Sequence, residues 1–219
     1  MTVEQLISPS VAVLLPYDTG NYAFDVMDEH HFAQLPIVSE DNYLALIQES
    51  DIYDWEKPES KLSSAGFLGY KPAIGSIGHP FDAIKIMHQM NLSVLPVIDN
   101  DHRYIGALTR DSLFKYITEN SGIDTPGGII VIEIAPRNYT LYEIARICEN
   151  EDVTITNLQV HTNEKGMLEV TMKLNRTSID AVVSSLERHE YHVKEVFGEE
   201  AYNQDIESKY NHLMNYINM

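Results

Sequence analysis

The sequence is short of cysteine, of cations and of long apolar stretches, and each shortage excludes a class of protein. With one cysteine, Cys148, among 219 residues, an internal disulfide and a multi-cysteine zinc site are both excluded. No stretch reaches the roughly 20 apolar residues that a membrane-spanning helix needs. Residues 1–5 lack the basic and apolar regions of a signal peptide. We therefore expect a cytoplasmic protein with no membrane partner.

Cations are outnumbered by acids, with 15 lysines and arginines against 33 aspartates and glutamates and a formal net charge of −18. Such a chain repels phosphate backbones, and no basic stripe compensates locally, so nucleic acid is not an expected partner. Hydrophobic residues at 44% and charged residues at 22% are ordinary for a globular protein. The length suits one large domain or two small ones.

What the sequence does contain is an internal repeat. Residues 23–27 (AFDVM) return at 83–87 (AIKIM), and residues 34–38 (QLPIV) return at 94–98 (VLPVI), so both blocks are displaced by 60 positions. In each copy an apolar helix leads to a buried strand, a polar turn and a second strand. A further helix follows, and Asp51 and Ser112 are the N-caps that we expect for it.

This order of elements resembles the CBS repeat. The residues that carry the resemblance are Leu35-Pro36-Ile37-Val38, Leu95-Pro96-Val97-Ile98 and the stretch 106–113 (GALTRDSL). The resemblance implies a tandem module over residues 1–124, with repeat one at 1–57 and repeat two at 72–120. CBS repeats pack as pairs that leave two clefts. In many family members the clefts bind adenosine nucleotides, and the pair regulates an attached or partner protein.

The resemblance also indicates where a nucleotide would bind. Nucleotide-binding CBS repeats have a Ser or Thr, two residues and an Asp where the second strand meets the helix. The hydroxyl and the helix N-terminus suit phosphate, and the carboxylate suits the ribose hydroxyls. Residues 48–51 (QESD) keep the Asp without the hydroxyl, and residues 109–112 (TRDS) keep the hydroxyl without the Asp.

We therefore expect weak binding of AMP, ADP or ATP, if any cofactor binds, and repeat two is favoured. Thr109 and Arg110 would contact phosphate, and the strand 94–97 would form a wall for the base. The candidate residues are Thr109, Arg110, Asp111, Ser112, Val94, Leu95, Pro96, Val97 and Asp51. The alternative is that Asp51 and Ser112 serve only to cap their helices.

Residues 126–198 have a different pattern. The predicted order is βαββαβ, the ferredoxin-like arrangement, with Thr177 as the N-cap of its second helix. Residues 141–145 (LYEIA) and 153–158 (VTITNL) resemble an ACT domain. ACT domains often bind amino acids at a Pro-Gly turn, where this chain has Asn138-Tyr139. Amino-acid binding and a structural or dimerising role both stay open. Two CBS repeats followed by an ACT-like domain resemble acetoin-utilization-type regulators.

The C-terminal residues, 199–219, predict an amphipathic helix. Its apolar stripe is Tyr202, Ile206, Tyr210, Leu213, Met214 and Ile217. A helix this short has to bury that stripe, so we expect it to lie in a homodimer interface or on its own ACT-like domain.

No motif for catalysis occurs in the sequence. The pair His30-His31 beside Asp28-Glu29 is the densest group of potential metal ligands, but adjacent helical residues point about 100° apart and cannot share one ion. We therefore expect a regulatory, ligand-sensing module with no enzymatic activity and no metal. The alternative is a ligand-free dimeric scaffold or protein-interaction module.

Overall fold

The computed structural model describes residues 1–66 and 68–198. The α-helices of this part are α1 (Gly20–His30), α2 (Glu49–Tyr53), α3 (Pro80–Gln89), α4 (Arg110–Asn120), α5 (Leu141–Asn150) and α6 (Asp180–Arg188). Its strands are β1 (Gln34–Ser39), β2 (Asn42–Gln48), β3 (Ile74–Gly75), β4 (Val94–Ile98), β5 (Tyr104–Thr109), β6 (Ile129–Ile134), β7 (Ile155–Thr162), β8 (Leu168–Leu174) and β9 (His192–Phe197). The mixed α/β class is the one expected. The predicted C-terminal helix lies outside the described residues.

The chain divides into two compact units, one over Met1–Ile117 and one beginning at Thr118. In neither unit do the described residues include a helix with the length and hydropathy that a membrane crossing requires.

The first unit contains two copies of one hairpin. Strands β1 and β2 pair antiparallel, as do β4 and β5, and β3 adds to β4 in parallel. Ile37 lies opposite Ala45 in the first copy, and Val97 lies opposite Gly106 in the second. The first strands therefore correspond with an offset of 60 residues and the second strands with an offset of 61. The extra residue lies in the turn, and the two Leu-Pro pairs occupy equivalent positions.

Helices α1 and α3 also correspond, at their ends as well as in their apolar faces. Thr19 accepts the N–H of Tyr22 at 3.2 Å to cap α1, and Pro80 occupies the first turn of α3, where its missing N–H costs nothing. Past their C-termini, His31 and Asn91 both have positive φ, at 57° and 50°. These matching ends turn each chain sharply into its buried strand.

Each second strand is flanked by a segment from outside its own repeat. The N–H of Ser8 bonds the carbonyl of Ala107 at 2.9 Å, so the N-terminal segment lies along β5 of repeat two. The N–H of Leu46 bonds the carbonyl of Tyr70 at 2.9 Å, so the segment between the repeats lies along β2 of repeat one. This exchange of flanking segments joins the repeats into one unit.

The second unit is a four-stranded antiparallel sheet in the order β7-β8-β6-β9. That order is the ferredoxin-like one that the sequence predicts. One face of the sheet packs on α5 and α6 through a continuous apolar core. The fully buried members of this core are Ile130, Ile132, Val170, Met172, Leu174, Ile144, Val182 and Leu186.

The predicted N-cap of α6 is wrong. The helix begins at Asp180 and its cap position is Ile179, so Thr177 lies two residues before the cap. The backbone before the helix is still bound to the sheet, because the carbonyl of Arg176 accepts the N–H of Gly128 at 2.7 Å. Ile179 is 2% exposed, so its burial in the core, and not a hydroxyl cap, fixes the start of α6.

Candidate functional site

The two places where a second strand meets a helix are equivalent by strand register. Gln48 ends β2 opposite Gln34, and Thr109 ends β5 opposite Val94. Helices α2 and α4 begin at the next residue in each case. The expected N-caps, Asp51 and Ser112, are therefore wrong by three positions.

Asp51 and Ser112 nevertheless cap their helices, from the third helical position. Asp51 Oδ2 accepts the N–H of Gln48 at 2.9 Å. Ser112 Oγ accepts the N–H of Thr109 at 3.1 Å, and Thr109 Oγ1 accepts the N–H of Ser112 at 3.1 Å. This reciprocal pair is a capping box. The Ser112 hydroxyl also donates to the carbonyl of Thr109 at 3.0 Å, so both hydroxyls of repeat two are engaged within the backbone turn.

The other candidate residues of repeat two are divided between core and surface. Val94, Leu95 and Val97 are 0% exposed, and Pro96 beside them is buried. Asp111 is exposed on the first turn of α4. The wall that the sequence suggests for a nucleotide base is therefore enclosed by the packing of the module itself.

Arg110 extends away from the Thr109 hydroxyl, towards the end of α3. Its Nε donates to the carbonyl of Leu92 at 2.9 Å, and one Nη donates to Asn91 Oδ1 at 3.0 Å. These two bonds hold the guanidinium at the rim of a surface groove between α3 and α4. The structure thus brings Thr109 and Ser112 together and directs Arg110 to different neighbours.

In repeat one, Asp51 lies near a side chain that the sequence did not single out, Tyr70. The bond between Leu46 and the Tyr70 carbonyl positions this residue alongside β2. Burial raises the pKa of the Tyr70 phenol, and the charge of the Asp51 carboxylate raises that pKa further, so the two groups are within electrostatic reach. Tyr70 belongs to the segment between the repeats, where no motif marks it.

A buried side-chain amide, that of Gln34, lies next to the start of α2 and links the two repeats. Gln34 is 5% exposed, and its Nε2 donates to Gln48 Oε1 at 3.3 Å. Its Oε1 accepts from both the N–H and the hydroxyl of Ser93, at 2.7 and 3.1 Å. Because buried polar groups need partners, this small network fixes the start of β1 against the segment before β4. The only signal in the sequence is a glutamine in an otherwise apolar strand.

In repeat two, the N-terminal segment packs on the second strand through the side chain of Ile7. Gly106 has a φ of +148°, and a Cβ built on it would lie 2.4 Å from Ile7 Cγ2. The N-terminal segment thus packs directly on the backbone of β5. In repeat one the residue equivalent to Gly106 is Ala45, which is fully buried.

The second unit has a polar cluster on the sheet face opposite its helices. Asn163 Nδ2 donates to Glu133 Oε2 at 2.8 Å and to Glu169 Oε1 at 3.1 Å, and Lys194 Nζ donates to the same Glu169 oxygen. Bonds from Lys194 and Asn163 hold the pKa of Glu169 below its usual value. At the predicted ligand turn of this unit, Asn138 ends a 3-10 turn and Tyr139 packs against the core.

Among the described residues there is no group of three or more His, Cys, Asp or Glu side chains that could hold a metal ion. His30 is the last residue of α1 and His31 follows it in the left-handed region, so both rings are exposed. Burial raises the pKa of the Cys148 thiol to about 11, which makes it a poor nucleophile at neutral pH.

Much of the first unit matches a known domain family. The family model of the CBS domain matches residues 3–57 and 79–119. Two stretches of the first unit, equivalent by the strand registers, thus match the CBS domain. Inosine-5'-monophosphate dehydrogenase of Methanocaldococcus jannaschii is 23% identical over 191 residues, which are 84% of this chain and 38% of that protein. The chain therefore spans well under half the length of this relative.

Two solved structures are similar to the chain over about half of its length. A CBS domain pair/ACT domain protein from Thermotoga maritima has a TM-score of 0.47 at 13% identity, covering 54% of this chain and 98% of that one. CBSX2 of Arabidopsis thaliana, solved in complex with AMP, has a TM-score of 0.46 at 17% identity, covering 54% and 96%.

Proposed function

We propose that the chain is a regulatory module that senses an adenosine nucleotide, AMP, ADP or ATP, in the cleft of its CBS pair. The ligand class follows from the CBS pair, whose clefts take such ligands in many family members. The observation that carries the proposal is that Asp51 caps α2 with one carboxylate oxygen, while Tyr70, bonded alongside β2 through its carbonyl, lies within electrostatic reach of that carboxylate.

Asp51 and Tyr70 suit the two halves of a nucleoside. A carboxylate can accept hydrogen bonds from both ribose hydroxyls, and an aromatic ring offers a face on which a base can stack. Asp51 uses Oδ2 for the helix cap, and this is the one hydrogen bond that its carboxylate makes to the described residues. Its other oxygen can therefore accept from a ribose without loss of the cap.

Repeat two is the weaker candidate in this proposal, although the sequence favours it. Thr109 and Ser112 bond each other's backbone, Arg110 bonds the end of α3, and Val94 to Val97 are buried in the core. A ligand there would have to compete with these contacts. We expect weak binding at the site in repeat one, since Glu49 adds negative charge next to any phosphate.

We further propose that the second unit is an ACT-like domain with a structural or transmitting role and that the chain regulates a partner without catalysing a reaction. Support comes from the ferredoxin-like strand order and from the core contacts of Tyr139, which occupies the position of the ACT ligand turn. A ligand that binds the native CBS pair shifts its conformational equilibrium, and the attached unit can report that shift.

The test is calorimetric titration of the full chain with AMP, ADP and ATP, together with thermal melting, because a ligand that binds the native state raises the melting temperature. We expect binding that Asp51→Asn weakens by about tenfold or more, the effect of losing a charged hydrogen bond. Asparagine can still accept the N–H of Gln48, so the cap is retained. Asp111→Asn is the matched control, with the same charge change on the first turn of α4 and no expected effect.

Two results would contradict the proposal. Affinity that falls with Thr109→Val or Ser112→Ala but not with Asp51→Asn would assign the ligand to repeat two. The absence of any heat or melting shift at millimolar nucleotide would favour the second candidate function, a ligand-free scaffold. The engaged hydroxyls of Thr109 and Ser112 are the observation that favours that candidate.

A further inference from the structure

The start of β1 carries a polar link between the repeats that the internal repeat does not duplicate. Gln34 Oε1 accepts from the N–H and the hydroxyl of Ser93, at 2.7 and 3.1 Å. With the offset of 60 residues that the first strands define, Gln34 corresponds to Val94 and Ser93 corresponds to Ala33. Because valine and alanine side chains form no hydrogen bonds, the contact with the roles of the repeats exchanged would be apolar.

The same link continues to the candidate ligand residue. Gln34 Nε2 donates to Gln48 Oε1 at 3.3 Å, and the N–H of Gln48 donates to Asp51 Oδ2 at 2.9 Å. Asp51 is therefore joined to Ser93 through two intermediate residues, Gln48 and Gln34.

In repeat two, the link ends next to the corresponding strand–helix junction. Ser93 directly precedes β4, whose first residue, Val94, lies opposite Thr109 at the end of β5. Thr109 and Ser112 form the capping box of α4. The link thus connects the start of α2 with the strands that lead into α4.

The strand itself does not require a buried amide at this position. Strand β4 forms the same hairpin with Val94, which is fully buried, in the equivalent place. Gln34 is 5% exposed, and burial of an amide costs free energy unless its groups are bonded. A rearrangement that broke one bond of the link would leave a buried polar group unpaired, so its members have to move together.

We propose that Gln34 is a positioning residue that couples Asp51 of repeat one to the start of β4 in repeat two. The coupling lets a ligand on Asp51 alter repeat two, and this ligand-dependent part rests on the proposed nucleotide site. A ribose that donates to the second oxygen of Asp51 draws negative charge from Oδ2 and weakens its bond to Gln48. That change passes through Gln34 to Ser93. By linkage, a change at Ser93 alters the affinity of the ligand at Asp51 by the same factor.

The first experiment needs no ligand and measures native-state hydrogen exchange of the Ser93 amide in the full chain. We expect Asp51→Ala, which removes the acceptor for Gln48, to raise that exchange rate about threefold or more relative to the amides of β5. In the Gln34→Val background the Ser93 amide has already lost its acceptor, so Asp51→Ala should add nothing. Asp54→Ala is the matched control, with the same substitution at an exposed position at the end of α2.

The second experiment is calorimetric titration of the same variants with AMP. We expect Ser93→Ala and Gln34→Val each to weaken binding about threefold, and the double variant to bind no more weakly than either, since all three break one link. Each substitution introduces the residue of the other repeat, so the double variant replaces both partners by apolar groups and should stay folded, as melting would check. Ser184→Ala, at an exposed position of α6, is the control.

The outcomes separate the coupling from the nucleotide site. Exchange of the Ser93 amide that Asp51→Ala leaves unchanged, or raises equally in the Gln34→Val background, would overturn the coupling. AMP binding that neither Ser93→Ala nor Gln34→Val weakens would overturn its ligand-dependent part and leave the nucleotide site standing. An intact exchange effect without any AMP binding would support the coupling and contradict the nucleotide site.

Discussion

Replacing Gly106 with alanine tests the packing of the N-terminal segment on repeat two. The new Cβ would lie 2.4 Å from Ile7 Cγ2 and 3.2 Å from Ile7 Cδ1, and the residue would keep a φ of +148°. A non-glycine residue in such a backbone region costs about 1–3 kcal/mol. Overpacking of a methyl group costs about 1–3 kcal/mol more. We therefore expect the first unit to lose about 2–6 kcal/mol of unfolding free energy.

The assay is denaturant unfolding monitored by the fluorescence of Trp55. Trp55 is the single tryptophan of the chain and lies in the first unit, so its signal reports that unit alone. Ile7→Ala separates the two costs. If the clash contributes, Gly106→Ala should be milder by about 1–2 kcal/mol in the Ile7→Ala background, as a double-mutant cycle measures.

The equivalent residue of repeat one provides the control. Ala45 already carries a Cβ, and Ala45→Gly should cost only about 1–2 kcal/mol, from one lost buried methyl group and the added chain entropy of glycine. The reasoning is refuted if Gly106→Ala changes the unfolding free energy by less than about 0.5 kcal/mol, the usual limit for a neutral surface change. It is also refuted if its cost is the same with and without Ile7.

Two further predictions concern the cap of α4 and the polar cluster of the second unit. Ser112→Ala removes half of the capping box and should lower the unfolding free energy of the first unit by about 1 kcal/mol, measured with Trp55 fluorescence; an unchanged midpoint would contradict this. Because Lys194 lowers the pKa of Glu169, their interaction stabilises the fold above pH 4.5 and is lost as the pH falls through the lowered pKa. Melting of the second unit, followed by near-ultraviolet circular dichroism, should therefore decline more steeply in acid for the unsubstituted chain than for Glu169→Gln, and equal slopes would refute it.

The features that could be predicted from the sequence are those that repeat or alternate. The 60-residue displacement predicts the correspondence of the two hairpins, and the one extra residue lies in the turn, where it leaves the strand register unchanged. The predicted βαββαβ order of the second unit begins with β6 (Ile129–Ile134), a run rich in β-branched residues between a glycine pair and a proline, which is a composition that favours a strand.

The start of a helix was harder to predict, because the residue type alone does not distinguish a cap position from the third helical position. Asp51 and Ser112 can cap from either place, and the length of the preceding strand decides which one they occupy. Tyr70 and the pair Gln34–Ser93 depend on segments far apart in sequence that meet only in the folded unit.

Capping and ligand binding compete for the same groups where a strand meets a helix, and the two repeats resolve that competition differently. In repeat two the hydroxyls of Thr109 and Ser112 bond the backbone, and a phosphate that displaced them would forfeit a cap worth about 1 kcal/mol. In repeat one the cap occupies one oxygen of a carboxylate that has two. A ribose can thus bind Asp51 while α2 keeps its cap, and this difference is why we place the ligand in repeat one.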